Sequence, residues 1–292
     1  MNDVLALTTR NLRLFVRDRL GVFFSLLSAL VLVGLYALFL GQNQVDALAG
    51  TYPRAPVADV RGFIDSWVLA GVAMISSLTT SFSTVGAFVE DRASGRFADF
   101  LVSPVRRLAL VLGYLLSGFV VALIVTVVIV VVGELFLLSQ GSPLMTPLEA
   151  LRCLGWIALS AAAFSALGSF AVSFLRTQQA FGALSTIVGT VVGFLAGAYI
   201  PVGVLPDAAQ RVTTVLPFAQ SAMLIREPVT AGALARLADG SAPAANAVRD
   251  FYGVRLSFGD TSVTPGLAAA ELAAVAVVFT ALSVLRLSRG IR

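Results

Sequence analysis

Long apolar stretches alternate with short polar ones along this chain, and their lengths set the expected fold. Residues 20–40 form an apolar run of 21 residues. As a helix rising 1.5 Å per residue, that run covers about 30 Å, the hydrocarbon core of one bilayer. Runs at 63–89, 108–138, 151–175, 180–200 and 266–287 are long enough to do the same. The pattern predicts an all-α polytopic membrane protein with six transmembrane helices. The run at 108–138 exceeds one bilayer thickness, so it tilts or protrudes at its outer end. A secretory leader is the competing reading of 20–40, because Ala47-Leu48-Ala49 resembles a cleavage site. The run is longer than the roughly 7–15 residues of a leader's apolar core, which favours a retained span.

The polar interruptions differ in kind. In residues 1–19, Arg10, Arg13 and Arg17 share one side of a helical wheel, and Val4, Leu5, Leu12, Phe15 and Val16 lie roughly opposite. That pattern fits an interfacial helix with its apolar side in the headgroups, or a plain basic flank of the first span. The stretch from Gly41 to Gly62 reads as a loop. Residues 90–104 open on Glu90 and Asp91 and close on Pro104. Folded as a helix up to Ser103, they place Ala93, Phe97, Phe100 and Leu101 on one side, with Arg92, Arg96 and Asp99 largely elsewhere. Such a surface helix presents a face to the cytosol, or is a solvated connection with no partner. Residues 201–265 are punctuated by Pro201, Pro206 and Pro217, which break any continuous span. They suit short external helices that re-enter the outer leaflet under cover of protein, followed at 228–265 by a more polar elaboration.

Two stripes lie inside the spans. Ser76, Ser77, Thr79, Thr80, Ser81, Ser83 and Thr84 put hydroxyls along the second run. They can bond to helix carbonyls or to a neighbouring helix, or line a route for an amphipathic solute. Ser76, Thr80 and Ser83, with Glu134 near the outer end of the third run, are the candidate path residues; Glu134 can equally reach the interface as a structural carboxylate. Gly182, Ser185, Gly189, Gly193 and Gly197 form a small-residue stripe for close helix packing, within the chain or at a dimer seam.

Composition narrows the chemistry. Of 292 residues, 58% are hydrophobic and 12% charged, against about 25% charged in a soluble domain. All twenty basic residues are arginine, there is no histidine, and Cys153 is the sole cysteine. Without lysine no Walker-A loop exists, and without histidine zinc sites and Ser-His or Cys-His nucleophiles are excluded. The net charge of +4 is distributed as a collar. With the N-terminus inside, inner segments hold twelve arginines (10, 13, 17, 19, 92, 96, 106, 107, 176, 286, 289 and 292) against five acids (3, 18, 90, 91 and 99). That bias places both termini in the cytoplasm and argues against a nucleic-acid partner.

Two segments carry a resemblance. Glu90, Gly95 and then Phe100-Leu101-Val102-Ser103-Pro104-Val105 are similar to the segment after the second span in permease subunits of type-2 ABC exporters. Pro201, Leu205-Pro206, Leu216-Pro217, Arg226 and Gly232 resemble that family's proline-punctuated segment after the fifth span. The family includes bacterial drug-resistance, polysaccharide and teichoic-acid export permeases and resembles the membrane half of ABCG-type pumps. The resemblance covers almost the whole chain as a single transmembrane domain. It departs at Asp91, where the family often has arginine, in one extra residue before Gly95, and in a longer tail at 233–265.

The resemblance implies a permease in the bacterial cytoplasmic membrane that exports a hydrophobic or amphipathic solute, such as a drug, antibiotic, lipid or glycan-lipid. Two separate ATPase subunits would bind ATP and Mg, and this chain would hold no cofactor and no metal. A second permease chain would complete the pump, a homodimer being expected before a heterodimer, with membrane lipid around it. Residues 90–104 would be the coupling helix, with Glu90, Asp91, Arg92, Gly95, Arg96, Phe97, Phe100, Leu101, Ser103 and Pro104 at the ATPase contact. Pro201, Pro206, Pro217 and Arg226 would belong to an external exit gate. The alternative is a secondary transporter or channel that needs no ATPase.

Overall fold

The computed structural model describes residues 2–23, 27, 31, 34, 41–97, 106–258 and 261–289. Among them the fold is helical apart from one short hairpin, Ser257–Phe258 (β1) against Thr261–Ser262 (β2). Among the described residues, five helical stretches are long and apolar enough to cross a membrane: Val57–Ala93, Arg107–Ser139, Pro147–Val172, Gln178–Leu195 and Pro265–Arg286. The expected first span, 20–40, lies outside the described residues except at 20–23, 27, 31 and 34.

The chain opens with α1 (Asn2–Arg17) and α2 (Gly41–Thr51). The latter replaces the loop expected there. Its polar sequence conceals two buried apolar side chains, Val45 and Leu48, which cluster with Phe63, Trp67 and Tyr252. Next come α3 (Val57–Val85) and α4 (Ala87–Ala93), joined by a turn at Gly86. The second span therefore begins six residues earlier than the sequence pattern suggested, directly after Pro56. Helix α5 (Arg107–Ser139) has 33 residues, or about 50 Å of helix, well beyond one bilayer core. Helix α6 (Pro147–Val172) starts at a capping box: Thr146 Oγ1 accepts from Glu149 N, Glu149 Oε2 accepts from Thr146 N, and Pro147 fills the first helical position.

Helix α7 (Gln178–Leu195) leads to a 3-10 turn (Val202–Val204), α8 (Asp207–Val215), α9 (Pro217–Ala238), α10 (Ala242–Phe251), the hairpin and α11 (Pro265–Arg289). The segment 201–265 is less fragmented than its prolines suggested. Pro217 starts α9 rather than ending a helix, and Pro228 sits inside it, so α9 runs for 22 residues.

Helix α3 is the axis. It packs on α5, α6 and α9, while α11 packs on α6 and α1 on α5. Small residues set the closest approaches. A Cβ on Gly118 would meet Val85 and Ser165, and one on Gly133 would meet Leu69, so α3 and α5 lie antiparallel in near contact. By contrast α7 and the apolar part of α11 leave most of their surface uncovered. Both α1 and the last turns of α11 lie at the end of the bundle that carries Asp91: Arg10 reaches Asp91, and Arg286 lies over the Phe174 ring. Arg226 and α10 mark the opposite end.

Candidate functional site

Residues 87–97 form an elbow rather than the single helix expected up to Ser103. Helix α4 stops at Ser94, and Gly95 takes a left-handed backbone with φ of +79°. Helical geometry resumes at Arg96 and Phe97. Among the described residues nothing lies within 4 Å of where a Gly95 Cβ would stand, and the left-handed backbone angle itself calls for glycine. Phe100, Leu101, Ser103 and Pro104 lie outside the described residues.

Asp91 is the anchor of the elbow. Its side chain is 2% exposed, and its two carboxylate oxygens accept from both terminal nitrogens of Arg10 at 2.7 and 2.8 Å. The Tyr114 hydroxyl donates to Oδ2 at 2.6 Å, and Arg96 Nε lies 3.3 Å from Oδ1. One carboxylate thus joins α1, α4 and α5. The charge-assisted, two-pronged geometry is the strong form of such a contact. Hydrogen bonding to Asp91 raises the already high pKa of Arg10, which stays a cation at physiological pH.

Packing around this anchor is close. Helix α1 lays Leu7, Thr8 and Asn11 on α5, where a Gly113 Cβ would meet Leu7, Thr8 Oγ1 donates to Gly113 O, and Asn11 Nδ2 donates to Ser117 Oγ at 3.3 Å. The α1 face against the protein therefore carries polar residues. The wheel reading, which grouped Arg10 with Arg13 and Arg17 opposite the apolar side, missed this face; its trace in the sequence is Thr8 and Asn11 beside Arg10. Phe88 stands edge-on to both Phe97 and Tyr114, at 5.2 and 5.5 Å between centroids. A Gly86 Cβ would meet the Phe181 ring, which brings the start of α7 onto the turn. Arg92 Nη1 donates to Ser173 O and Leu175 O at the end of α6. The exposed surface of the elbow carries Glu90 and Arg96, paired at 2.7 Å. Asp91 and Phe97 face inward, whereas Glu90, Gly95 and Arg96 are open to a partner.

At the opposite end Arg226 is the largest buried charge. It is 1% exposed, and its guanidinium donates to Gly197 O at 2.6 Å, Gly253 O at 3.3 Å and Ala196 O at 3.5 Å. It lies 5.3 Å from the Trp67 ring centroid. Trp67 Nε1 in turn donates to Tyr252 O. One arginine on α9 thus fastens the end of α7, the turn after α10 and the axis helix α3. Pro201 is buried ahead of the 3-10 turn, Pro206 is exposed ahead of α8, and Pro217 opens α9.

The candidate path residues are not gathered at one level. Ser76 and Thr80 are buried at 6% and 3% exposure, and Ser83 is exposed. Glu134, 8% exposed, accepts from Met145 N at 3.1 Å and so closes the turn between α5 and α6. Its neighbour Gly133 meets Leu69, about 10 Å along α3 from Ser76. The sequence reading passed over Asp65, a half-buried carboxylate one turn after Arg61 on α3.

A profile of the ABC-2 type transporter family matches residues 2–227. The chain is also 31% identical over 169 residues to nodulation protein J of Rhizobium meliloti (strain 1021), a match spanning 57% of this chain and 62% of that protein. The match thus falls short of two thirds of that relative's length. The family profile takes in α1, the Asp91 elbow, α3 to α8 and the stretch of α9 that carries Arg226.

Proposed function

The chain belongs to the ABC-2 type transporter family, and from that premise we propose that it is the membrane subunit of an ATP-driven exporter. Membership makes it a multi-pass transmembrane component. Beyond that, the proposed cargo is a hydrophobic or amphipathic solute moved out across the bacterial cytoplasmic membrane. ATP and Mg would be held by two separate ATPase subunits, and a second permease chain would complete the complex. The Asp91 end, where the basic collar lies, is the proposed cytoplasmic end, with both termini there.

The observation that carries this reading is the Asp91 anchor. A partner that pushes on the exposed Glu90–Arg96 surface pushes on α1, α4 and α5 together, because Arg10, Asp91 and Tyr114 tie them. The turn at Gly86 connects that surface to α3, the axis of the bundle. Force at the elbow thus reaches the spans through a short, buried, charged joint rather than a loose loop.

Co-expression with a candidate ATPase tests the proposal. The wild-type pair should co-purify and hydrolyse ATP. Glu90→Arg, on the exposed side, should abolish assembly while lowering the thermal unfolding midpoint of the isolated permease only slightly, since the pair it breaks is exposed. Intact assembly and coupled hydrolysis in Glu90→Arg would remove the elbow from the ATPase contact.

A further inference from the structure

At the Asp91 end, the start of α5 and the last turns of α11 leave an open groove of about 660 Å³, within the roughly 300–1,000 Å³ of small-molecule sites. Its walls are Leu108 of α5 and one face of α11, where Val277, Ala281 and Leu285 recur at helical spacing. Ala276 and Ala281 hollow it out, and Thr280 supplies a lone hydroxyl. Cations adjoin the lining residues along the chain. Arg106 and Arg107 directly precede Leu108, and Arg286 directly follows Leu285. Arg106 and Arg286 are exposed, and the Arg286 guanidinium is held 3.5 Å from the centroid of the Phe174 ring. Of the acids described at this end, Asp91 is engaged by Arg10 and Arg96, Glu90 by Arg96, and Asp18 accepts from Gly21 N, while Asp3 lies exposed near the start of α1. Among the described residues no carboxylate pairs with Arg106 or Arg286.

We propose that this groove holds an acyl chain of an anionic phospholipid whose phosphate rests on Arg106 and Arg286. An apolar groove alone accepts any acyl chain. The adjoining arginines make it selective, because a basic pocket between helices at headgroup depth attracts a net negative headgroup. A zwitterionic lipid brings its own ammonium and forfeits most of that gain. The site is separate from the elbow, so its failure would leave the family and the exporter reading standing.

The test uses the purified full-length chain in a neutral detergent, titrated with phosphatidylglycerol or with phosphatidylcholine of the same acyl chains. Native mass spectrometry counts the lipid retained, and the thermal midpoint is followed in parallel. Phosphatidylglycerol should bind on the order of tenfold more tightly and raise the midpoint, and Arg106→Gln or Arg286→Gln should each weaken it by about fivefold while sparing phosphatidylcholine. Ala281→Phe, which fills the groove, should abolish retention of both lipids and leave the lipid-free midpoint unchanged. Equal binding of the two lipids, or binding indifferent to Ala281→Phe, overturns the proposal. So does competition by glycerol phosphate as effective as the lipid itself, which would assign the arginines to a soluble anion. A lowered lipid-free midpoint in Ala281→Phe, with no lipid retained by the wild type, would assign the groove to protein packing and overturn it as well.

Discussion

Asp91→Asn keeps the shape of the side chain and removes the charge that Arg10, Arg96 and Tyr114 share. Breaking a fully buried ion pair costs about 3–5 kcal/mol, because the remaining charge stays out of water. Here Asp91 is 2% exposed but the Arg10 side chain retains 30% of its exposure, so water recovers part of the loss. The expected cost is therefore about 2–3 kcal/mol for Asp91→Asn. Arg10→Gln should cost a similar amount, because it leaves the carboxylate to Tyr114 and Arg96 alone. In the double variant the two amides can pair without charge, so the losses should fall short of their sum by about 1.5–2 kcal/mol. Reversible unfolding in mixed micelles, followed by circular dichroism, measures all three. Added salt at about 0.5 M should change the wild-type value little, since screening acts on exposed charges. The exposed Glu90–Arg96 pair, with side chains 61% and 45% accessible, is the internal control, and Glu90→Gln should cost at most about 1 kcal/mol. Losses that add to within about 0.5 kcal/mol would refute the joint between α1 and the elbow.

Three further expectations follow from the same geometry. Gly95→Ala should destabilise by about 1–2 kcal/mol through the left-handed backbone alone, and Gly95→Asn by less, as read in the same unfolding assay. Arg226→Met should cost about 3 kcal/mol by leaving the carbonyls of Ala196, Gly197 and Gly253 without their donor; trypsin should then cut faster at Arg249 in α10 and at Arg255 just after it. Glu134→Gln keeps an oxygen for Met145 N and should cost under about 1 kcal/mol, whereas Glu134→Leu strands that N–H and should cost about 1–3 kcal/mol. Transport impaired equally by Gln and Leu would instead mark the Glu134 charge as functional.

Run length alone marked the stretches that form the five long apolar helices among the described residues, because lipid requires a continuous apolar helix of about 20 residues. Their ends were less legible. The start of α3 at Val57 and the polar helix α2 depend on Val45, Leu48 and Val60 meeting Trp67 and Tyr252, contacts that no local periodicity encodes. Pro228 inside α9 illustrates the same limit. A proline reads as a break, yet here Val229, Ala233 and Leu234 are buried around it and the helix continues. At the elbow, the amphipathic pattern set Phe97 on one side with Ala93, yet Phe97 is buried against Phe88 and Ala93 is exposed, and the pattern gave no sign of the break at Gly95. It also could not pair Arg10 with a carboxylate 81 positions away. The resemblance drew attention to Arg226 without its role, because a buried arginine that rests on carbonyls and an indole leaves no matching acid in the sequence.

The central claim is that this chain supplies the path and borrows the energy. Its most direct measurement is uptake of a fluorescent amphipathic solute into inverted proteoliposomes that contain the chain with or without a candidate ATPase subunit, with ATP outside. Uptake is expected only with both proteins and ATP, and is lost in Glu90→Arg. Uptake by the chain alone, driven by an ion gradient and indifferent to ATP, would contradict it.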